Sequence, residues 1–204
     1  MVTIDPVLSG AVSLGIIEME GLRVRESSDE LKTMLNSLAA ECVSKYRETP
    51  PGGIPAVRQV RTILHKAGVD PTRYRASSES LLRRAVSGKG LYFINSAVDL
   101  VNYCSLKLLY PMGLYDADRL RPPIALRVGR PGESYEGIGR SQLNLERFPL
   151  LADEEGPFGS PISDSMRTRV TEESTRILWI TFAPPGGTIP DGEFRELMSR
   201  FTKI

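Results

Sequence analysis

Three features of the sequence predict an α+β fold. Apolar residues recur at helical spacing through most of the first half, short β-type runs parted by Gly, Pro and Asp follow Pro111, and one more amphipathic stretch closes the chain. Helices crowd the first half and strands the second, so the mixture lacks the regular alternation of a βαβ sheet. With 204 residues, 41% of them hydrophobic and 25% charged, the chain suits one globular domain over 1–204, whose core needs neither disulfide nor metal.

In order, residues 11–25 (AVSLGIIEMEGLRVR) read as strand with a turn at Gly21. Ser27-Ser28-Asp29-Glu30 offers caps to a helix with Leu31, Leu35 and Leu38 on one stripe. It ends at Thr49-Pro50-Pro51-Gly52-Gly53, a loop inside the domain, because one strand and one helix make no independent core. Ile54, Val57, Val60, Leu64 and Ala67 mark a second helix, capped by Gly68 and stopped by Asp70-Pro71. Ser77-Ser78-Glu79 starts a third, with Leu81, Leu82 and Val86 inward and Gly88 at its end. Asn95 opens a fourth, running to Tyr110 and ended by Pro111. Strands follow at 124–128, 134–138, 148–152 and 177–182, and a final helix from Asp191 buries Phe194, Leu197, Met198 and Phe201.

Charge and scarce residues exclude several functions. Lys and Arg number 26 against 25 Asp and Glu, so the net charge of +1 is neither histone-like nor polyanionic. One histidine (His65) and two distant cysteines (Cys42 and Cys104) supply no four-ligand zinc set, so no metal and no cofactor is expected. A histidine-dependent nucleophile would have to use His65, whose place beside Leu64 on an apolar-periodic helix reads as structural. No apolar run approaches the ~18–20 residues of a membrane span. The opening MVTIDPVLSG has an acid and no basic run, unlike a signal peptide, and free thiols fit the cytoplasm.

Polar chemistry concentrates in three places. Between residues 58 and 89 eight bases (among them Arg75, Arg83 and Arg84) face only Asp70 and Glu79, which makes a phosphate-facing surface with Tyr74 as stacking partner, or a solvated face balanced by acids elsewhere. Asn95, Asp99 and Asn102 fall on one helical stripe beside Ala97, Val101, Cys104 and Leu108. That stripe reads either as the floor of a small polar pocket or as an N-cap with backbone-bonded neighbours. Asp164-Ser165-Met166-Arg167-Thr168 mixes an acid, a base and hydroxyls, which pair internally or hold an anion.

Three ordered stretches are similar to one known module. Tyr74–Arg84, Ile94–Tyr103 (INSAVDLVNY) and Pro111–Asp118 (PMGLYDAD) resemble the B3/B4 domain of the phenylalanyl-tRNA synthetase β subunit, of which stand-alone bacterial versions exist. Later segments around Leu126-Arg127, Gly132-Glu133, Leu151-Asp153 and 164–171 match in the same order, so the likeness covers roughly 55–183. The resemblance implies a module that, in the synthetase, hydrolyses the ester of tyrosyl-tRNA made in error. The synthetase motif has the form Asn-x-Val-Val-Asp-x-Thr-Asn-Tyr, then Pro-x-His-Ala-Phe-Asp, and its Thr, Asn and His line the editing pocket. Here those positions read Val101, Asn102 and Gly113. Losing a hydroxyl and an imidazole implies another amino acid or no hydrolysis, and Gly113 leaves space for a bulkier substrate or a water.

The leading expectation is a trans-acting editing factor for mischarged aminoacyl-tRNA, because no aminoacylation core fits in this length. Asn102, with Asn95 and Asp99, would fix the α-amino group or water; Val101, Gly113, Glu133 and Asp164 would line the pocket; Arg75, Arg83 and Arg84 would contact the tRNA end. An aminoacyl ester is already activated, so positioning and backbone donors suffice without histidine or metal. The rivals are an RNA-binding module without catalysis, and a binding domain for a free amino acid or other small metabolite. The basic segment counts against the last.

Overall fold

The computed structural model describes residues 2–139 and 141–202. Its elements are the strands β1 (Val2–Ile4) and β2 (Ser13–Glu20), then the helices α1 (Asp29–Tyr46), α2 (Pro55–Ala67), α3 (Ser77–Val86) and α4 (Ser96–Leu108). The strands β3 (Met112–Asp116), β4 (Ile124–Val128), β5 (Ser134–Glu136), β6 (Gln142–Asn144), β7 (Pro149–Asp153), β8 (Gly156–Gly159) and β9 (Arg176–Ala183) follow, and α5 (Asp191–Thr202) comes last. The α+β class stands.

Local chemistry sets the helix ends. The Ser28 hydroxyl accepts the Leu31 N–H at 3.3 Å, and Asp29 and Glu30 sit in the positive first turn of α1. Pro55 opens α2 at a position that needs no N–H, and Gly68 closes it with φ +89°, a left-handed turn that a side chain would strain. The fourth helix stops at Leu108 rather than Tyr110, because Leu109 turns left-handed (φ 58°) and the Ser105 hydroxyl donates to the Tyr110 carbonyl at 2.7 Å.

Among the described residues three sheets form: β1-β4-β7-β8, β2-β9-β3 and the hairpin β5-β6. The central strand β9 reads RILWITFA and is buried over seven of its eight residues because both faces are covered. Ile177 and Trp179 point to α4 and α5; Leu178, Ile180 and Phe182 point to Leu126, Leu151 and Phe158 of the four-stranded sheet. The register Met112↔Thr181 and Leu114↔Trp179 fixes β3 at the edge of this layer, directly under α4. So Met112 and Leu114 face the helices, while Gly113 and Tyr115 face the second sheet.

The ring of Trp179 stacks on Phe194 at 5.0 Å and 7°, and its buried indole N–H has no acceptor among the described residues. Trp179→Phe removes that unmet donor, so it is expected to cost less than about 1.5 kcal/mol, against about 3–5 kcal/mol for Trp179→Ala. Urea midpoints of the two variants check the difference. Equal losses would mean that ring volume is not what Trp179 supplies.

Candidate functional site

A recess of about 440 Å³ opens where the start of α4 passes over β3. The helix supplies Asn95, Val98, Val101 and Asn102; the strand supplies Met112 and Leu114; the segment after β8 supplies Asp164, Met166, Arg169 and Thr171. Ile94 and Ile138, both exposed, stand at its edge. The walls are mainly apolar and the polar groups few, the usual make-up of a small-molecule site.

Two polar groups inside stand out. The Asn102 amide is half-buried and has no hydrogen-bond partner among the described residues. The Asp164 carboxylate accepts the Tyr115 phenol at 2.8 Å and the Ser160 N–H at 3.4 Å through one oxygen, Oδ1. Burial, only partly offset by those bonds, pushes its pKa up to about 7. The group therefore exchanges a proton near neutrality, which suits acid–base chemistry.

Of the stripe foreseen on α4, Asn102 and Asn95 reach the recess and Asp99 does not. Asn95 caps the helix, its Oδ1 accepting the Val98 N–H at 2.9 Å. Asp99 is fully buried: it accepts the Ser27 hydroxyl at 2.5 Å and the Ile94 N–H at 2.9 Å, and burial raises its pKa. A carboxylate near the helix start folds back onto the amide just ahead of the cap, so periodicity alone misplaces it. Its work is to hold Ile94 at the edge of the recess. Val101 lies in the wall.

Gly113 leaves no open space, contrary to the expectation. A Cβ there would meet the Tyr115 Oη at 1.9 Å, and one at Gly159 on β8 would meet the same oxygen at 2.2 Å. The phenol lies between two glycines with the Phe158 ring edge-on at 4.8 Å. Where the synthetase motif has His and Phe, this chain has Gly113 and Tyr115, and the Tyr115 hydroxyl donates to Asp164 from behind the recess. Tyr115 was missed because apolar strand periodicity gives no sign that a phenol reaches back to Asp164.

Glu133 lies outside the recess. Arg127 grips it through two bonds of 2.6 and 2.8 Å, the Arg130 N–H adds a third, and the guanidinium holds the Glu133 pKa below the usual range. The neighbouring base along the β4–β5 connection makes that pairing local. Tyr74 is partly buried, edge-on to Phe148 at 4.9 Å and with the Arg73 guanidinium 5.2 Å from its ring centre.

Arg75, Arg83 and Arg84 share a separate cleft of about 730 Å³ between the end of α1, Pro50-Pro51 and α3. Glu79 is 1% exposed and binds Arg61 at 2.8 and 2.9 Å and the Arg83 Nε at 2.8 Å, and these cations keep its pKa low against the burial that would raise it. That ion pair leaves the terminal nitrogens of Arg83 without a partner among the described residues.

The likeness to known proteins is consistent along the chain. The chain is 32% identical over 126 residues to the phenylalanine–tRNA ligase β subunit of Thermobifida fusca, covering 61% of this chain but 15% of that protein. It is 27% identical over 154 residues to the same subunit of Xylella fastidiosa, covering 69% and 19%. The chain thus spans less than a fifth of the length of these relatives. An N-terminal fragment of the phenylalanyl-tRNA synthetase β subunit from Pyrococcus horikoshii shares the fold at a TM-score of 0.50, with 17% identity over 99% of this chain and 49% of that one. No helix among the described residues is long and apolar enough to cross a membrane. The B3/4 domain profile matches residues 59–188, well over half of the sequence, and the chain belongs to that family.

Proposed function

We propose that the protein hydrolyses the ester of mischarged aminoacyl-tRNA, acting in trans on tRNA released by a synthetase. The observation that carries this reading is that the Asp164 carboxylate, whose pKa burial raises, shares one mainly apolar recess with the Asn102 amide, which has no partner among the described residues. An ester bound between them needs only a water held in line with its carbonyl carbon. Asp164 takes the proton of that water as its oxygen attacks, the bond to the ribose oxygen breaks, and the proton passes to the departing ribose oxygen. Asn102, through its amide N–H, steadies the carbonyl oxygen as negative charge gathers there, and is with Asp164 the catalytic group. Asn95 and Asp99 act as positioning residues through the helix start and Ile94. The walls of Val98, Val101, Met112, Leu114 and Met166 suit an apolar side chain rather than tyrosine. Arg75, Arg83 and Arg84 are assigned to the phosphates of the tRNA end.

Incubation with a panel of mischarged tRNAs tests the reading. Faster release of one amino acid than in buffer supports it. Loss of none, with tRNA still bound, overturns it in favour of an RNA-binding module. Asn102→Ala should reduce kcat/KM about 10- to 100-fold, the worth of one hydrogen bond to a charged group, with the melting temperature little changed.

A further inference from the structure

The cleft between α1 and α3 carries more charge than its fold requires. Five cations, Arg47, Arg75, Arg83, Arg84 and Lys89, line it; among the described lining residues Glu48 is the one carboxylate, and Arg83 alone of the five is paired, with the buried Glu79. Arg47, Arg75 and Lys89 make no ion pair among the described residues, and all three are exposed. Like charges gathered in one groove repel, and a bound polyanion relieves that repulsion. Beside them the guanidinium of Arg84 lies 3.7 Å from the centre of the Tyr92 ring, and one of its terminal nitrogens donates to the Lys89 carbonyl at 3.2 Å.

Tyr92 begins a run of three apolar residues turned to solvent: Tyr92, Phe93 and Ile94 are 64%, 41% and 57% exposed. Such a run is an error in a surface unless something covers it. Ile94 stands at the edge of the recess, two residues along from Tyr92, so the Cα atoms of the two lie at most about 7 Å apart. Arg84 of the groove touches Tyr92, and two residues on Ile94 touches the recess, so the exposed run lies in sequence between the two.

The geometry points to the α1–α3 cleft as the groove that grips the phosphates of an unpaired RNA end, with Tyr92 and Phe93 stacking its bases on the way to the recess. Arg47, Lys89, Tyr92 and Phe93 thereby join the surface; Arg84 preorders Tyr92 as a stacking face. This rests on the ester-pocket reading only for where the strand ends. Base–aromatic stacking tolerates any sequence, so affinity depends on single-strandedness and salt rather than on base identity.

Fluorescence anisotropy of the full chain with a short single-stranded RNA, the same strand in duplex, AMP and inorganic phosphate separates the cases. The single strand is expected to bind best, with affinity falling steeply as salt rises. Tyr92→Ala is expected to weaken it roughly tenfold or more without altering the salt dependence. Arg47→Ala with Arg75→Ala is expected to flatten the salt dependence by about 0.7 in slope for each lost phosphate contact. All three residues are exposed, so the variants should fold as wild type. Equal binding of duplex, or AMP or phosphate binding as tightly as the strand, overturns the inference, as does a Tyr92→Ala variant with unchanged affinity. If RNA binds as expected but no ester is cleaved, the ester reading fails and the groove stands. If ester is cleaved and Tyr92→Ala binds and cleaves normally, the groove fails and the ester reading stands.

Discussion

Above pH 7, Asp164→Asn is expected to lower kcat/KM for the aminoacyl ester by about 10²–10⁴-fold, the range for a positioned general base. The wild-type rate should climb with pH and level off above about 7, since Asp164 must be deprotonated to accept the proton and burial sets its pKa at about 7. The variant should show no such climb. Stability moves the other way. A carboxyl whose folded pKa lies above its ordinary 3.8 holds a proton that the unfolded chain has already released, so its contribution favours folding at low pH and is lost as pH rises from about 4 to about 7. Asparagine still accepts the Tyr115 hydroxyl and carries no charge to bury. The variant is expected to melt higher than wild type at pH 8, by about 1–2 kcal/mol after allowance for the solvent on the open side of Asp164, and no higher at pH 4. Thermal melts at the two pH values check it. A variant less stable at pH 8 would show the carboxylate to be a structural anchor.

The periodic helices were readable because their apolar spacing and caps agree: Ser28, Gly68 and Asn95 sit where the sequence puts them. The strand at Ile124–Val128 coincides with its expected bounds, and 177–182 extends by one residue at each end. What escaped was short or atypical. Val2–Ile4 and Gln142–Asn144 have three residues each, Met112–Asp116 holds a glycine after a proline, and Gly156–Gly159 reads as a turn. Each exists because a neighbouring strand pairs with it, a property of the partner rather than of the run. The site divides in the same way. Asn102 and Asp164 carry polar atoms in apolar surroundings, which a sequence can flag. Asp99, Glu133 and Tyr115 owe their roles to Ser27, Arg127 and Asp164, and such pairings appear only when the chain is folded.

Gly113→Ala is expected to destabilise the protein by about 3 kcal/mol or more, because its Cβ would sit 1.9 Å from the Tyr115 Oη and 2.5 Å from Cζ, with Gly159 barring retreat on the other side. Tyr115→Phe alone should cost about 1–2 kcal/mol for the lost bond to Asp164. Combined, the two should cost less than their sum, since removing the hydroxyl removes the tightest contact and leaves the ring carbon to be accommodated. Denaturant unfolding of the two single variants and the double closes the cycle, and strict additivity would mean that something other than the phenol excludes a side chain at 113. Tyr115→Phe has a second consequence. Its hydroxyl donates to the ionised Asp164 and so lowers the pKa that burial raises. Without that donor the carboxyl holds its proton more tightly, and the rising limb of the ester-hydrolysis profile should move to higher pH while its plateau is kept. A merely structural Tyr115 would lower activity equally at every pH, so the direction of the shift separates a phenol that tunes the base from one that only fills the gap between two glycines.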